Sequence, residues 1–305
     1  MICIYHNRDL DGWASGAIVK LKYPDCKLIG FDYGHQLPLD QIPVGEPIIM
    51  VDVALEDMNE MFELAGRNPL TWIDHHISSI NTYYDRNILS VNDYNSITAV
   101  LENGISACEG TWRYLFPDLP TPQSIILLGK YDTWRNQDKY RWDNVILPFQ
   151  FGMRSECNSP ETFPVNLLTC NEGEEVLLLI DIIESGQAIL KYQNQLNADL
   201  CKLLSFETHF GNLRAICLNG GGFNSDVFKS VYDESKHDIM ILFVYDGTIK
   251  QWKFSLYTTK GEIDCSKIAK LYGGGGHVKA AGFQVNRIEQ VLPGINYPPV
   301  KVSLY

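Results

Sequence analysis

The stretch Pro69-Leu70-Thr71-Trp72-Ile73-Asp74-His75-His76 decides how this chain reads. An apolar run of strand length ends in three side chains able to hold a metal, so a strand is expected to release Asp74, His75 and His76 at its C-terminal end. Working outward, other strand ends carry the same kinds of side chain. Met1-Ile2-Cys3-Ile4-Tyr5 runs into His6, Asp9 and Asp11, Pro47-Ile48-Ile49-Met50-Val51 runs into Asp52, and the apolar segment Ile125 to Leu128 is read as a further such end followed by Asp132. In an open α/β sheet, ligands collect outside the carboxyl ends of the strands. Hard divalent cations take oxygen together with some imidazole nitrogen, and these aspartates and histidines supply both.

The 305 residues, 45 % hydrophobic and 20 % charged, suffice for two ordinary globular domains. A formal net charge of −12 repels nucleic acid at long range. Long duplex DNA is thereby disfavoured as a partner, whereas a short or single-stranded phosphate compound held by metals is not. Eight cysteines are scattered without a Cys-x-x-Cys, which excludes a zinc ribbon or a compact disulfide framework and reads as reduced thiols. No signal-like segment opens the chain, and the longest apolar segment, Val176 to Ile183, is far too short to span a bilayer. A cytoplasmic protein without membrane contact is expected.

Along the chain, Gly12 to Lys22 has helical composition, with small residues that let its first turn approach the strand ends and offer amides to a phosphate. Lys27 to Tyr33 and Pro47 to Val53 read as strands two and three, Asp57 to Ala65 as a short helix, and Leu70 to Ile73 as strand four. Ile88 to Val91 reads as a further strand and Ser106 to Phe116 as a helix. Pro122 opens the next helix, with apolar positions running to Gly129. Strands alternating with helices at this spacing argue for a doubly wound, mainly parallel α/β sheet. From Trp142 to Pro164 the pattern assigns nothing. Glu172 to Leu204 reads as helix, with Gly173 and Gly186 as interruptions. The division expected is 1–184, a helical linker 185–205, and a smaller C-terminal α/β domain 206–305. In the latter, strand patterns recur at Leu213 to Leu218, Ile239 to Val244 and Lys250 to Leu256, and Asp264 is the N-cap of a helix ending at Gly273.

Five motifs in order carry a family resemblance. His6-x-x-Asp9-x-Asp11-Gly12, Asp52, Asp74-His75-His76 and Asp132 resemble the motifs of the DHH phosphoesterases. Gly273-Gly274-Gly275-Gly276-His277-x-x-Ala280-Ala281-Gly282-Phe283 is similar to the signature of the small domain that accompanies them in nanoRNases, 3′-phosphoadenosine phosphatases and RecJ-type exonucleases. The resemblance implies a catalytic domain facing the smaller domain across a cleft. It also implies two divalent ions, Mn²⁺ first and Mg²⁺ or Co²⁺ as alternatives, one held by His6, Asp9 and Asp52 and the other by Asp11, Asp52, His75 and Asp132. Asp74 would accept a hydrogen bond from a ligating imidazole and His76 would face the scissile phosphate. Gly274, Gly275, Gly276, His277, Lys279 and Tyr257 would bind substrate. The chain departs from the pattern at Ser255-Leu256-Tyr257-Thr258, where the family often has Ser-Leu-Arg-Ser, because tyrosine stacks or hydrogen-bonds but lacks the bidentate fork of arginine.

The expected activity is hydrolysis of short single-stranded oligoribonucleotides or linear dinucleotides by water activated between the two metals. The alternative is a phosphatase of 3′-phosphoadenosine 5′-phosphate, pyrophosphate or polyphosphate. A nucleotide-binding regulator without turnover would lack a ligand of the set, and none is missing. A homodimer is compatible with the sequence. His35, His209, His237, Arg135 and Arg154 read as surface or capping groups, and the stripe Val176, Leu177, Leu179, Ile180 and Ile183 as packing.

Overall fold

The computed structural model describes residues 1–85 and 97–292. The chain begins β1 (Ile2–His6), α1 (Leu10–Lys22), β2 (Lys27–Phe31), β3 (Ile48–Val51), α2 (Met58–Arg67), β4 (Leu70–Asp74), α3 (Ile77–Tyr84) and β5 (Ile97–Leu101). The strands form one fully parallel sheet in the order β2-β1-β3-β4-β5. Consecutive residues of β1, β3 and β4 turn to opposite faces. Cys3, Tyr5, Ile49, Val51 and Ile73 enter one core, Ile2, Ile4, Ile48, Met50, Leu70 and Trp72 the other. Apolar side chains on both faces explain why these strands read as continuous hydrophobic runs. The sheet is doubly wound as expected. Its order reverses between β1 and β3, and the crevice outside their carboxyl ends is where such sheets bind ligands. The strand expected at Ile88 to Val91 lies outside the described residues.

Helices α4 (Ala107–Leu115) and α5 (Gln123–Asp132) pack against the first of these cores. The apolar run Ile125 to Leu128 is therefore helical, and Asp132 leaves a helix end instead of a strand end. A single turn α6 (Lys139–Arg141) precedes the unassigned segment, which holds a π-turn Trp142–Ile146 and α7 (Leu147–Glu156) and is followed by the short α8 (Asn166–Thr169). Helix α9 (Glu172–Leu204) runs unbroken through Gly173 and Gly186. Gly186 is a packing residue: a Cβ there would stand 1.8 Å from Pro148 O, and one on Gly152 of α7 would stand 2.1 Å from Ile182 O. The paired glycines let two helix backbones touch. Of the apolar stripe on α9, Leu179 is buried but Val176, Leu177 and Ile180 are exposed, so packing accounts for only part of it.

Contacts divide the chain into 1–190 and 191–305. The second unit contains β6 (Ser205–Phe210), β7 (Leu213–Asn219), β8 (Ile239–Asp246), β9 (Gln251–Tyr257), α10 (Cys265–Lys270), β10 (Gly275–Gly276) and β11 (Ala280–Val285). Its sheet runs β10-β11-β9-β8-β7-β6, antiparallel except for β7 beside β8. Asp264 caps α10 by accepting from Lys267 N at 3.1 Å. Phe254, Phe283 and Tyr272 stack in series beneath that helix. Among the described residues no helix is long and apolar enough to cross a membrane.

Candidate metal centre

The switch point of the parallel sheet gathers side chains from three strands and two helices. His6 ends β1, and the backbone then turns straight into α1. Gly12 permits that turn, because a Cβ would lie 2.0 Å from His6 O. Asp9 caps α1 by accepting from Gly12 N at 3.2 Å. Asp11 follows in its first turn and receives the amides of Ala107 and Cys108, each at 2.8 Å, at the N-terminus of α4. That end of α4 is fixed by a Ser106–Glu109 capping box. Asp52 leaves β3 with φ +61°, a conformation rare outside glycine, asparagine and aspartate, and its amide donates to Ile73 O at 3.0 Å.

At the end of β4, one oxygen of Asp74 accepts from His75 N (2.7 Å), His76 N (3.1 Å) and His76 Nδ1 (2.7 Å). The imidazole oriented by Asp74 is thus that of His76, the ring set toward the scissile phosphate by the resemblance, and not one of the ligating imidazoles. His75 Nε2 instead faces Asp132 Oδ2 at 3.2 Å, Asp52 Oδ1 at 3.3 Å and Asp11 Oδ2 at 3.6 Å. On the other side, His6 Nδ1 lies 3.3 Å from Asp52 Oδ2 and 3.6 Å from Asp9 Oδ2. The ligand atoms fall into the groups His6–Asp9–Asp52, Asp11–His75–Asp132 and Asp52–Asp74–His75–His76, each within 4.8 Å. Asp52 turns one oxygen toward His6 and the other toward His75, so it joins the first two groups.

The electrostatics of this cluster follow from crowding. Burial pushes the Asp52 carboxyl well above its usual range, and the neighbouring charges of Asp11, Asp9, Asp132 and Asp74 push it further. Asp132 is raised to about 8 by burial and then by Asp11 and Asp9, and Asp9 is raised by burial and Asp11. Burial lowers His75. For His76 burial acts in the same sense, but the hydrogen bond and charge of Asp74, with Asp132 and Asp11, outweigh it and raise the ring. Asp52 Oδ1, fully buried, has no hydrogen-bond donor among the described residues. Mutually repelling carboxylates, an imidazole kept neutral and an unsatisfied buried oxygen fit divalent cations of oxygen preference.

No family model matches the chain. An uncharacterized protein of Acanthamoeba polyphaga mimivirus, R106, is 22 % identical over 293 residues, which are 95 % of this chain and 60 % of that protein. The chain therefore spans well under two thirds of that relative's length. Among solved structures, the DHH domain of a member of a ribosomal-protein family is 14 % identical with a TM-score of 0.56, over 92 % of this chain and 81 % of that one. The fold is that of the DHH proteins. RecJ from Thermus thermophilus, solved with Mn²⁺, shares the DHH fold at TM-score 0.53 and 14 % identity, over 92 % of this chain and 49 % of RecJ. The pGpG-specific phosphodiesterase PggH from Vibrio cholerae shares it at TM-score 0.50 and 14 % identity, over 95 % of this chain and 94 % of PggH.

The glycine-rich signature lies in the second unit of the chain. Gly273 and Gly276 hold positive φ (+78° and +136°), and a Cβ on Gly274 would meet Gly282 O at 2.1 Å. Gly275 and Gly276 form β10, and His277 closes the hairpin to β11 by donating its amide to Ala280 O at 2.7 Å, leaving its ring exposed. Lys279 is exposed, and its Nζ donates to Thr259 O at 2.8 Å and Lys260 O at 2.5 Å, which engages two of its three donors. Tyr257 packs against the apolar cluster of Cys201, Phe228 and Met240, which withdraws part of its ring from any ligand.

Three residues at this cluster escaped the sequence reading. Asp32 stands 3.4 Å from His6 Nε2, and Tyr33 sets its ring edge-on to His6 (5.7 Å) and His76 (6.4 Å) while remaining 37 % exposed. Both follow an apolar strand, the same signal that exposed Asp52. Arg135, read as a surface group, binds the buried Glu109 through Nη2 and Thr133 Oγ1 through Nε at 2.8 Å. It ties the end of α5, and hence Asp132, to the capped end of α4. His237, read as a surface or capping group, is buried and accepts from Asp233 N at 3.0 Å within a turn.

Proposed function

We propose that the chain is a phosphoesterase dependent on two divalent metal ions, Mn²⁺ first among them, that hydrolyses phosphodiester bonds of short single-stranded oligoribonucleotides or linear dinucleotides. The observation that carries this reading is the convergence of two ligand groups on the two oxygens of Asp52. His6, Asp9 and Asp52 would hold one ion, and Asp11, Asp52, His75 and Asp132 the other. Bound ions supply an activated water and a clamp on the phosphoryl oxygens. Asp74 fixes His76 by its Nδ1, which leaves Nε2 to meet a phosphate oxygen. The raised affinity of that ring for a proton lets it donate a charged hydrogen bond to developing negative charge.

The DHH-fold neighbour PggH, a pGpG-specific phosphodiesterase, supports a short nucleotide substrate. The half-open ring of Tyr33 beside His6 and His76 favours a base-containing substrate over pyrophosphate or polyphosphate. Purified protein with Mn²⁺ is expected to release 5′-mononucleotides from oligonucleotides a few residues long. Asp52→Ala and His75→Ala are each expected to reduce release by at least ~100-fold. Equal turnover by wild type and Asp52→Ala refutes the proposal, and preferential cleavage of pyrophosphate in a competition assay replaces it with the small-molecule phosphatase.

A further inference from the structure

We infer that Trp134, two residues beyond the proposed metal ligand Asp132, is the platform on which a base of the single-stranded substrate stacks. The inference rests on the reading of the site given above and adds to it the residue that holds a base beside the scissile bond. Helix α5 stops in a Schellman arrangement, with Arg135 N donating to Lys130 O at 2.9 Å and Trp134 N to Tyr131 O at 3.1 Å. Those bonds set Trp134 in the left-handed position that such a stop reserves for glycine or asparagine, and its φ is +55°. For a bulky side chain that conformation is an outlier. The ring is nevertheless displayed to solvent. Of the six tryptophans, Trp134 is 64 % exposed, whereas the other five are buried or half-buried.

Packing accounts for the ring only in part. Trp134 meets Trp142 edge to face, with centroids 5.0 Å apart, and Trp142 in turn lies flat against Tyr131 at 5.7 Å. These contacts hold the ring in one attitude while most of its surface stays open. Asp132 is close, since two residues separate their Cα atoms by at most about 7 Å. The charge of the surroundings also suits a phosphodiester chain. Although the formal net charge is −12, the segment 130–154 sets Lys130, Arg135, Lys139, Arg141 and Arg154 against Asp132, Asp138 and Asp143. Arg135 is bound to Glu109 and Lys139 to Asp143, but Lys130, Arg141 and Arg154 have no ion-pair partner among the described residues. Tyr140, 78 % exposed, precedes Arg141 in α6 and adds a second π-face. Open aromatic rings among unpaired cations bind single-stranded nucleic acid, the bases stacking on the rings and the phosphates meeting the cations.

The test uses the full chain in Mg²⁺ and, as probe, a phosphorothioate oligoadenylate a few residues long, which resists hydrolysis. Binding is expected to quench tryptophan fluorescence, and the quenching to vanish in Trp134→Phe although calorimetry still detects the complex. Trp134→Gly removes the ring and suits the left-handed backbone. It is expected to keep the Tm of the wild type or exceed it, yet to bind the probe about 5–150-fold more weakly, with Trp134→Phe recovering most of the loss. An abasic residue moved along the probe should weaken binding to the wild type at one position by the same factor, and should cost Trp134→Gly nothing further there. Equal binding by wild type and Trp134→Gly, or no quenching in the wild type, overturns the inference. Unchanged probe binding together with loss of a dimer in Trp134→Gly assigns the ring to a protein contact and overturns it as well. Hydrolysis of the unmodified oligonucleotide in Mn²⁺ is followed separately. Turnover without quenching removes the stacking role alone, whereas quenching without turnover removes the phosphoesterase reading and leaves the stacking role standing.

Discussion

Asp52 combines a backbone conformation disfavoured for most residues with a carboxylate surrounded by four others. Strain and repulsion of this kind concentrate where a ligand offsets them. Asp52→Asn keeps a residue that tolerates positive φ and removes the charge. In the presence of a chelator it is expected to be more stable than wild type by roughly 1–2 kcal/mol, the usual scale when a functional compromise is relieved, while Mn²⁺ no longer raises its Tm. Thermal unfolding of both proteins with EDTA and with Mn²⁺ checks this, and a less stable variant in EDTA contradicts it. At this scale the sequence was largely readable: His6, Asp9, Asp11, Asp52 and His75 lie at or just after strand ends as expected, and Asp132 joins them from a helix end instead of a strand end. Asp32 was hidden because Lys27 to Tyr33 reads as one continuous strand. The edge strand β2 stops at Phe31, since Gly30 and the polar Lys27 give it no firm alternation. The two carbonyl oxygens that hold Lys279 Nζ were not legible in the sequence, because they come from Thr259 and Lys260 across a turn.

Among the elements, α7 and α9 show how a residue read as a helix breaker acts as a contact. Gly186→Ala gains helix propensity of about 1 kcal/mol, yet its methyl would overlap a backbone oxygen that cannot swing away. The net loss is expected to be about 1–3 kcal/mol, the cost of overpacking. Gly66→Ala in α2, where a Cβ meets nothing within 4 Å, is expected to be neutral or to stabilise by up to ~1 kcal/mol. Urea unfolding of the two variants separates these outcomes, and a stabilised Gly186→Ala would exclude the close helix approach. Propensity and period locate the long elements but not the short ones. The four-residue apolar run before Asp132 suits strand or helix equally, and Pro122 at its start is the better guide. Between Lys139 and Thr162 the chain uses a three-residue turn, a π-turn and a 3₁₀ turn around the single ten-residue helix α7, and the three short pieces are too short to display a repeat.

For the molecule as a whole, the crowded carboxylates couple folding to protons and metal. Asp9, Asp52 and Asp132 bind protons more tightly folded than unfolded, Asp132 up to about 8. With no metal added, stability is therefore highest below the unfolded carboxylate range and falls as pH rises from about 4 toward 8. The lowered His75 opposes this trend, but it is one group against these three and the raised His76, whose contribution is also lost as pH rises. Divalent metal displaces the protons, so Tm in EDTA should decline between pH 5 and 8.5, whereas saturating Mn²⁺ should abolish or reverse the decline. At a free concentration of 100 times Kd the ion adds about 2.7 kcal/mol. A metal-free Tm that rises across this range contradicts the reading of the site.

The wide spacing of the ligands along the polypeptide also sets an order in time. The His6–Asp9–Asp52 group is complete once β3 has been made, but its companion waits for Asp132, 80 residues later by position (132 − 52). At about 5–20 residues per second, a nascent chain spends roughly 4–16 s with only one half-site fully synthesised. On the proposed reading of the site, the ligands of a first cation are all synthesised while the ribosome is still adding residues, whereas those of a second are complete only after α5 has emerged.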